Sequence, residues 1–186
     1  QLVEMEAVIA ALHRSQAVIE FNLDGTVIRA NDNFLGAVGY SLAEIEGQHH
    51  RMFCDPAMTA TPAYADFWRD LASGQARNDR FRRVSKSGQD VWIQAVYAPV
   101  KDEMGRVAKV VKIATDVTAQ VRASRMLNDA VAEAEQVTTA ARNGDLTQRI
   151  PMEGKSGPIG TLCEGVNALM ETTSVIFDDV GRVFSG

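Results

Sequence analysis

Three histidines, two cysteines and a scatter of aspartates are the residues of this 186-residue chain whose chemistry could matter most. Cys54 and Cys163 stand far apart, which suits neither a disulfide framework nor a zinc site; they read as two reduced thiols of a cytoplasmic protein. His13 falls at the end of a helical pattern, where an imidazole is solvated or paired with the helix dipole. His49 and His50 are neighbours, so their side chains diverge: one is expected to cap or hydrogen-bond locally and the other to be exposed. Asp24, before a glycine, and Asp32, before a helical pattern, read as turn and cap residues. Asp116 ends a strand-like run just before a helical one, and is expected there to accept hydrogen bonds from the backbone or a nearby base. No Ser-His-Asp order, phosphate-cradling glycine loop or carboxylate pair at helical metal spacing stands out, so the chain is not expected to be an enzyme.

The formal charge of −5 at pH 7, with no basic run, disfavours a nucleic-acid partner. Hydrophobic residues make up 46% of the chain, which suffices for one real core. Nowhere do about 18 consecutive apolar residues occur, so no segment is expected to span a bilayer, and no signal-peptide pattern is present. The chain opens at Gln1 in mid-helix pattern and stops at Gly186 without a clear cap, as an excerpt of a longer protein would.

Three changes of period organise these residues. Leu2, Met5, Ile9 and Leu12 form a narrow helical stripe of coiled-coil type over residues 1–15. From Ala17 the period is two: Ile19, Phe21 and Leu23 alternate with polar residues up to Asp24-Gly25, a hairpin turn between two strands. Short helices follow, one capped by Asn31 or Asp32, one opened by the capping box Ser41 to Glu44, and a longer one from Ala63 to Ser73 with Tyr64, Phe67, Trp68 and Leu71 on its inner face. Strand patterns at Arg80–Ser85, Val91–Val100 and Val107–Thr115 complete an α+β domain, a five-stranded antiparallel sheet with its helices gathered on one face. From Ala119 heptads take over: Ala123, Leu127, Ala130, Ala134, Val137 and Ala141 form an alanine-rich seam. A connector follows, and then Ile159, Leu162, Val166, Leu169, Thr173, Ile176, Val180 and Val183 form a second seam. The economical arrangement is a parallel homodimer whose helices form one four-helix bundle.

Residues 16–118 resemble a PAS sensor domain, through the Asp24-Gly25 hairpin followed by Asn31 and Phe34, Gly39-Tyr40-Ser41 leading to Glu44-Ile45-Glu46-Gly47, Lys86-Ser87-Gly88 before Trp92, and the exit Asp116-Val117-Thr118. Residues 119–183 resemble a signalling helix and HAMP domain, through Gly144-Asp145-Leu146-Thr147 with Arg149-Ile150. The acidic pair that usually opens the second HAMP helix is replaced by Gly157-Pro158-Ile159-Gly160. The order of the two is similar to the sensory half of a bacterial methyl-accepting chemotaxis receptor of the aerotaxis type. That implies a cytoplasmic homodimer, a downstream receptor signalling domain and its kinase complex as partners, and Asp116, Thr118, Gly144, Asp145 and Leu146 as signalling residues.

The resemblance also implies a ligand or cofactor between sheet and helices. FAD comes first, since Trp68 matches a tryptophan that aerotaxis receptors carry; His50, Arg51, Trp68, Trp92 and Gln94 would be its neighbours. The flavin photoadduct of light sensors needs a cysteine where this chain has His50, and Cys54 comes four residues later. Haem comes second: no histidine lies from Ala63 to Asp79, so His49 or His50 would have to serve, with Cys54 as a remote alternative. A core without cofactor, serving dimerisation and interaction, is the rival from a different class, and the sensor half of a histidine kinase is a further alternative.

Overall fold

The structure is a computed structural model. It describes residues 2–184; the readings at Gln1 and Gly186, and that of the Leu2 side chain, fall outside the described residues. The chain divides into two compact units, residues 1–119 and 120–186.

In the first unit, helix α1 (Leu2–Ser15) precedes strands β1 (Ala17–Phe21) and β2 (Val27–Ala30). Four short elements follow: α2 (Asp32–Val38), α3 (Leu42–Ile45), a 3₁₀ turn (His50–Phe53) and α4 (Pro56–Thr59). The longer α5 (Pro62–Ala72) leads into β3 (Arg77–Val84), β4 (Asp90–Lys101) and β5 (Val107–Asp116). The sheet has five strands in the order β2-β1-β5-β4-β3, every neighbouring pair antiparallel, as expected. Alternation along the strands turns Ile19, Phe21, Ile93, Ala95, Tyr97, Val110 and Ala114 toward Phe34, Ile45, Phe53, Trp68 and Leu71 of the helical layer.

The Asp24-Gly25 turn is where sheet and helical layer first meet. Gly25 has φ of 88°, in the left-handed region, and a Cβ there would stand 2.7 Å from His49 Nε2. Glycine is required at this position twice over, for the turn and for the approach of the imidazole. The Gly25 carbonyl then accepts from His50 N at 2.8 Å, tying the hairpin to the 3₁₀ turn.

The second unit consists of α6 (Thr118–Arg142), a connector, and α7 (Gly157–Phe184). Lys155, just before α7, ion-pairs with Glu133 in mid-α6, while Arg149 in the connector reaches Glu171 in α7 at 2.6 Å. The chain therefore doubles back and the two helices run parallel. Asn167 holds the connector by its backbone, accepting from Ile150 N at 2.7 Å and donating to Ile150 O at 2.9 Å. Ile150 is thereby buried against Ala130, Val137, Cys163 and Met170, with Leu146 packed beside them. One chain covers only part of the expected second seam. Cys163 and Met170 are the residues that α7 buries, whereas Leu162 and Leu169 are 69% and 66% exposed. The 3-4 pattern had merged two adjacent stripes, and only one of them faces α6.

Asn31 joins three elements. Its Oδ1 accepts from Phe34 N at 3.0 Å, capping α2, and from Val18 N at 2.9 Å in β1. Its Nδ2 donates to the carbonyls of His13 (3.0 Å) and Gln16 (2.8 Å), which the end of α1 leaves without helical partners. Asn31→Ala should lower the unfolding free energy by about 2–3 kcal/mol, from one cap and the accompanying hydrogen bonds. Asn31→Asp keeps the acceptor and loses the donor, so denaturant titration should place it between the two; an Asp variant as unstable as the Ala variant would locate the energy in the α1 carbonyls alone.

Candidate functional site

The inner face of the sheet carries charges where alternation would put apolar groups. Arg83 on β3 is 4% exposed and Lys112 on β5 is 0% exposed. Among the described residues no carboxylate lies within ion-pairing distance of either. Lys112 Nζ has no hydrogen-bond acceptor and lies 4.9 Å from the centre of the Tyr97 ring and 5.4 Å from that of Phe34. Arg83 donates through Nη2 to Tyr97 Oη at 2.8 Å and through Nη1 to the Arg82 carbonyl at 2.8 Å, its Nε having no partner. Its guanidinium also lies 4.9 Å from the centre of the Phe81 ring.

Tyr97 passes the polarity inward. Its hydroxyl lies 2.9 Å from His50 Nε2, and His50 Nδ1 lies 2.9 Å from Tyr64 Oη. A guanidinium only donates, so the Tyr97 oxygen accepts and its proton serves Nε2; His50 then carries its own proton on Nδ1 and donates it to Tyr64. One directional chain, Arg83 to Tyr97 to His50 to Tyr64, runs through the middle of the core. Aromatic edges enclose it: Phe21, Trp68 and Tyr97 each stand 5.3–5.7 Å from the imidazole, centre to centre. Burial, and then Arg83 and Lys112, hold the His50 pKa well below its ordinary value. Burial likewise lowers that of Lys112 and raises that of the Cys54 thiol, whose Sγ lies 3.6 Å from His50 Nδ1. Burial pushes Tyr64 up to about 12.

Beside this chain is a cavity of about 160 Å³, lined by Met58, Thr61, Ala63, Tyr64, Phe67, Phe81 and Arg83. Both ends of the hydrogen-bonded chain, Arg83 and Tyr64, lie on its wall.

Of the residues singled out for a cofactor, the structure brings together only His50 and Trp68. His49 caps the 3₁₀ turn, its Nδ1 accepting from Arg51 N at 3.1 Å, as one of the two histidines was expected to do. His50 corrects the other half of that expectation: it is buried, because the 3₁₀ turn rotates it beneath the Gly25 turn. Arg51 is exposed. Trp92 and Gln94 alternate with Val91, Ile93 and Ala95 and so lie on the far face of the sheet, away from the cavity. Trp92 acts instead through its backbone: its carbonyl accepts from Val117 N at 2.8 Å, and its amide donates to Thr118 Oγ1 at 2.9 Å. Asp116 Oδ1 accepts from Thr118 N at 2.9 Å, so the sheet-to-helix junction is clasped from both sides. Gly144 has φ of 89°, and Asp145 accepts from the amide and hydroxyl of Thr147 at 2.9 and 2.6 Å. Arg83, Tyr97 and Lys112 were missed. Their inward register was the available signal, since each shares strand parity with a core residue.

The PAS-fold family pattern matches residues 13–122. The chain belongs to the PAS family. Its PAS core also has the architecture of solved structures. A light-oxygen-voltage domain studied with a flavin analogue aligns with a TM-score of 0.53 at 21% identity, covering 66% of this chain and 93% of that one. The PAS domain of a Colwellia psychrerythraea protein gives 0.53 at 22%, covering 64% and 99%. Among curated proteins, the biofilm dispersion protein BdlA of Pseudomonas aeruginosa is 45% identical over 139 residues, covering 75% of this chain and 33% of BdlA. The aerotaxis receptor of Escherichia coli K12 is 29% identical over 129 residues, covering 69% and 23%. The chain thus spans a third or less of these relatives. PAS membership together with these relatives supports a general sensory role. No helix is long and apolar enough to cross a membrane, among the described residues.

His50 gives the core a pH dependence of defined sign. Its folded pKa is depressed below the ordinary 6.5, so the stability it allows is fully present above pH 6.5 and is lost as pH falls toward the folded value. Below pH 6.5 the unfolding free energy should fall as pH falls, by at most about 1.4 kcal/mol per pH unit from this residue. His50→Gln should be less stable at pH 7 yet flatter across that window in urea titrations. An equally steep His50→Gln profile would assign the slope to another group.

Proposed function

We propose that this chain is the input and relay portion of a cytoplasmic chemoreceptor of the aerotaxis kind, working as a homodimer. Its PAS core registers a small ligand or a redox state. The junction at Asp116 and Thr118 passes the change to α6, and the α6–connector–α7 unit is a HAMP-like relay tuned by Gly144, Asp145 and Leu146. The full-length protein would join this relay to a receptor signalling domain and its kinase complex.

The observation that carries the reading is the junction. β5 passes into α6 across the single residue Val117, and the Trp92 backbone, Asp116 and Thr118 hold that crossing at 2.8–2.9 Å. A displacement of β4 or β5 is therefore transmitted to the start of α6 without slack from a linker. The dimer is supported by Leu162, Leu169, Ile176 and Val183, a seven-residue repeat along α7 that stays exposed in one chain.

What fills the core bears on the stimulus. The flavin reading comes from the family and from the light-oxygen-voltage neighbour. The residues present do not fit a tricyclic ring as packed: His50 and the surrounding aromatic rings occupy the middle, and the adjoining cavity of about 160 Å³ falls below the roughly 300 Å³ from which drug-sized ligands are accommodated. Haem fits no better at His50, because both its ring nitrogens are engaged by tyrosines and no lone pair is free for iron, and His49 Nδ1 is taken up by Arg51 N. The purified chain should accordingly show neither a flavin nor a Soret band; either band at stoichiometric intensity would overturn the packing argument.

Asp116→Ala should cost no more than about 1 kcal/mol, the loss of one exposed cap. It should nevertheless change the distance distribution between spin labels placed at Thr139 in the two chains of the dimer. Unchanged distances, with unchanged signalling by the full-length receptor, would remove Asp116 from the relay.

A further inference from the structure

We propose that the PAS core takes a small monocarboxylate with a compact, benzene-sized apolar body, seated in the cavity between α4, α5 and β3 with its carboxylate on Arg83 and Tyr64. The proposal deepens the sensory reading above and rests on it for its biological meaning, though binding itself is measured apart from the relay.

The charge of the site comes first. Arg83 is 96% removed from solvent by its 4% exposure, stays protonated at any working pH, and has no carboxylate partner. Tyr97 and the Arg82 carbonyl each take one of its five N–H groups, so donors remain unspent on a residue that lines the cavity. Buried cations are ordinarily paired, so a guanidinium without a carboxylate, on a residue that lines a cavity, points to a missing anion. Lys112, its Nζ 4.9 Å from the centre of the Tyr97 ring, brings a buried amine to the same core and no compensating acid.

Shape and donor supply then narrow the anion. At about 160 Å³ the cavity is close to those of about 150 Å³ that admit benzene. Met58, Phe67 and Phe81 supply apolar walls. Thr61 spends its hydroxyl proton on the Met58 carbonyl, which leaves Arg83 and Tyr64 as the polar contacts. Two such groups serve a carboxylate; a phosphate brings more charge and a third oxygen that nothing on the wall would meet. The neutral body of the ligand belongs among the rings, its charged end on the guanidinium.

Seating it also has a consequence for the core. Tyr64 is held by His50 and Arg83 by Tyr97, so a carboxylate engaging both draws on the two ends of one hydrogen-bonded chain. β4 carries Tyr97 of that chain and also the Trp92 backbone that clasps the start of α6.

Calorimetry on the whole 186-residue chain tests the assignment with three probes: benzoate, benzyl alcohol (the body without the charge) and formate (the charge without the body). Benzoate should bind at least about tenfold more tightly than either, the expected size of one charge-assisted contact. Arg83→Gln should lose that advantage for benzoate and leave benzyl alcohol unchanged. Ala63→Phe, which fills the cavity without touching a buried charge, should abolish binding of both while circular dichroism reports a folded protein, so the test survives if Arg83→Gln does not fold. Equal affinity for benzoate and benzyl alcohol, no benzoate binding at millimolar concentration, or benzoate binding retained in Ala63→Phe would each overturn the proposal. Asp116→Ala should bind benzoate as the unaltered chain does; that result separates failure of the ligand site from failure of the relay.

Discussion

A guanidinium buried without a carboxylate is the constraint around which the first unit is built. Removing a cation from water costs several kcal/mol even after relaxation, and a lysine or histidine escapes that cost by losing its proton. Arginine has no such escape. Arg83 must therefore be solvated by the protein, and each group that does so comes from a different place: the Tyr97 hydroxyl from β4, the Arg82 carbonyl from its own strand, the Phe81 face from the adjoining position. The consequence spreads, because Tyr97, once it accepts from Arg83, is oriented to donate to His50. His50 is fixed in turn as neutral, with its proton toward Tyr64. The 3₁₀ turn, α5, β3 and β4 are locked to one another by a polar chain whose direction is set at its charged end.

The other side of the sheet solves the same problem differently. Glu20 is also buried, but Arg29 at 2.7 Å and Lys109 at 2.6 Å flank it, and although burial opposes ionisation these partners keep its pKa below the usual carboxylate range. Acid and base are matched across β2, β1 and β5 there, and the arrangement is complete as it stands. On the inner face Arg83 and Lys112 have only dipoles and ring faces. The same sheet thus carries a paired charge on one face and, on the other, an arginine and a lysine without a carboxylate. Structural need alone accounts for the first; the second is the kind of local inconsistency that functional sites retain.

Much of this fold was legible where one residue type has one use. Asp24-Gly25 gave the hairpin, the Asn31-Asp32 pair the start of α2, where Asn31 proves to be the cap, and Tyr64, Trp68 and Leu71 the buried face of α5, because turn chemistry, capping and a 3.6-residue period each act locally. The site was less legible because it depends on parity carried across strands. Arg83 stands two residues from Phe81, and Lys112 stands between Val110 and Ala114 at the same parity; a charged residue at an inward position reads as an outward one until the register is known. Trp92 and Gln94 fail in the opposite sense: they lie between core residues on β4, and their size and polarity drew attention to side chains on the far face, while the Trp92 backbone takes part in the junction. His50 was obscured by its neighbour, since adjacent histidines share a local sequence and the 3₁₀ turn alone decides which one enters the core.

The second unit carries the same lesson into the question of how motion is passed on. One heptad pattern was written along α7, yet the chain packs Cys163 and Met170 inward and leaves Leu162 and Leu169 outside. A helix with two adjacent apolar stripes is committed to two neighbours, and only one of them is α6. In the proposed homodimer, a second copy of this chain would present a matching seven-residue repeat to the second stripe by symmetry. The α6 side of the inner stripe is mostly alanine, with Ala130, Ala134 and Ala141 flanking Val137. Alanine buries little surface, so sliding or rotating α6 against α7 forfeits little packing energy in any one register. In the proposed relay, a thin inner seam beside a bulky outer one would let the helices within a chain readjust while the dimer holds, which is the combination a relay between an input domain and an output domain requires.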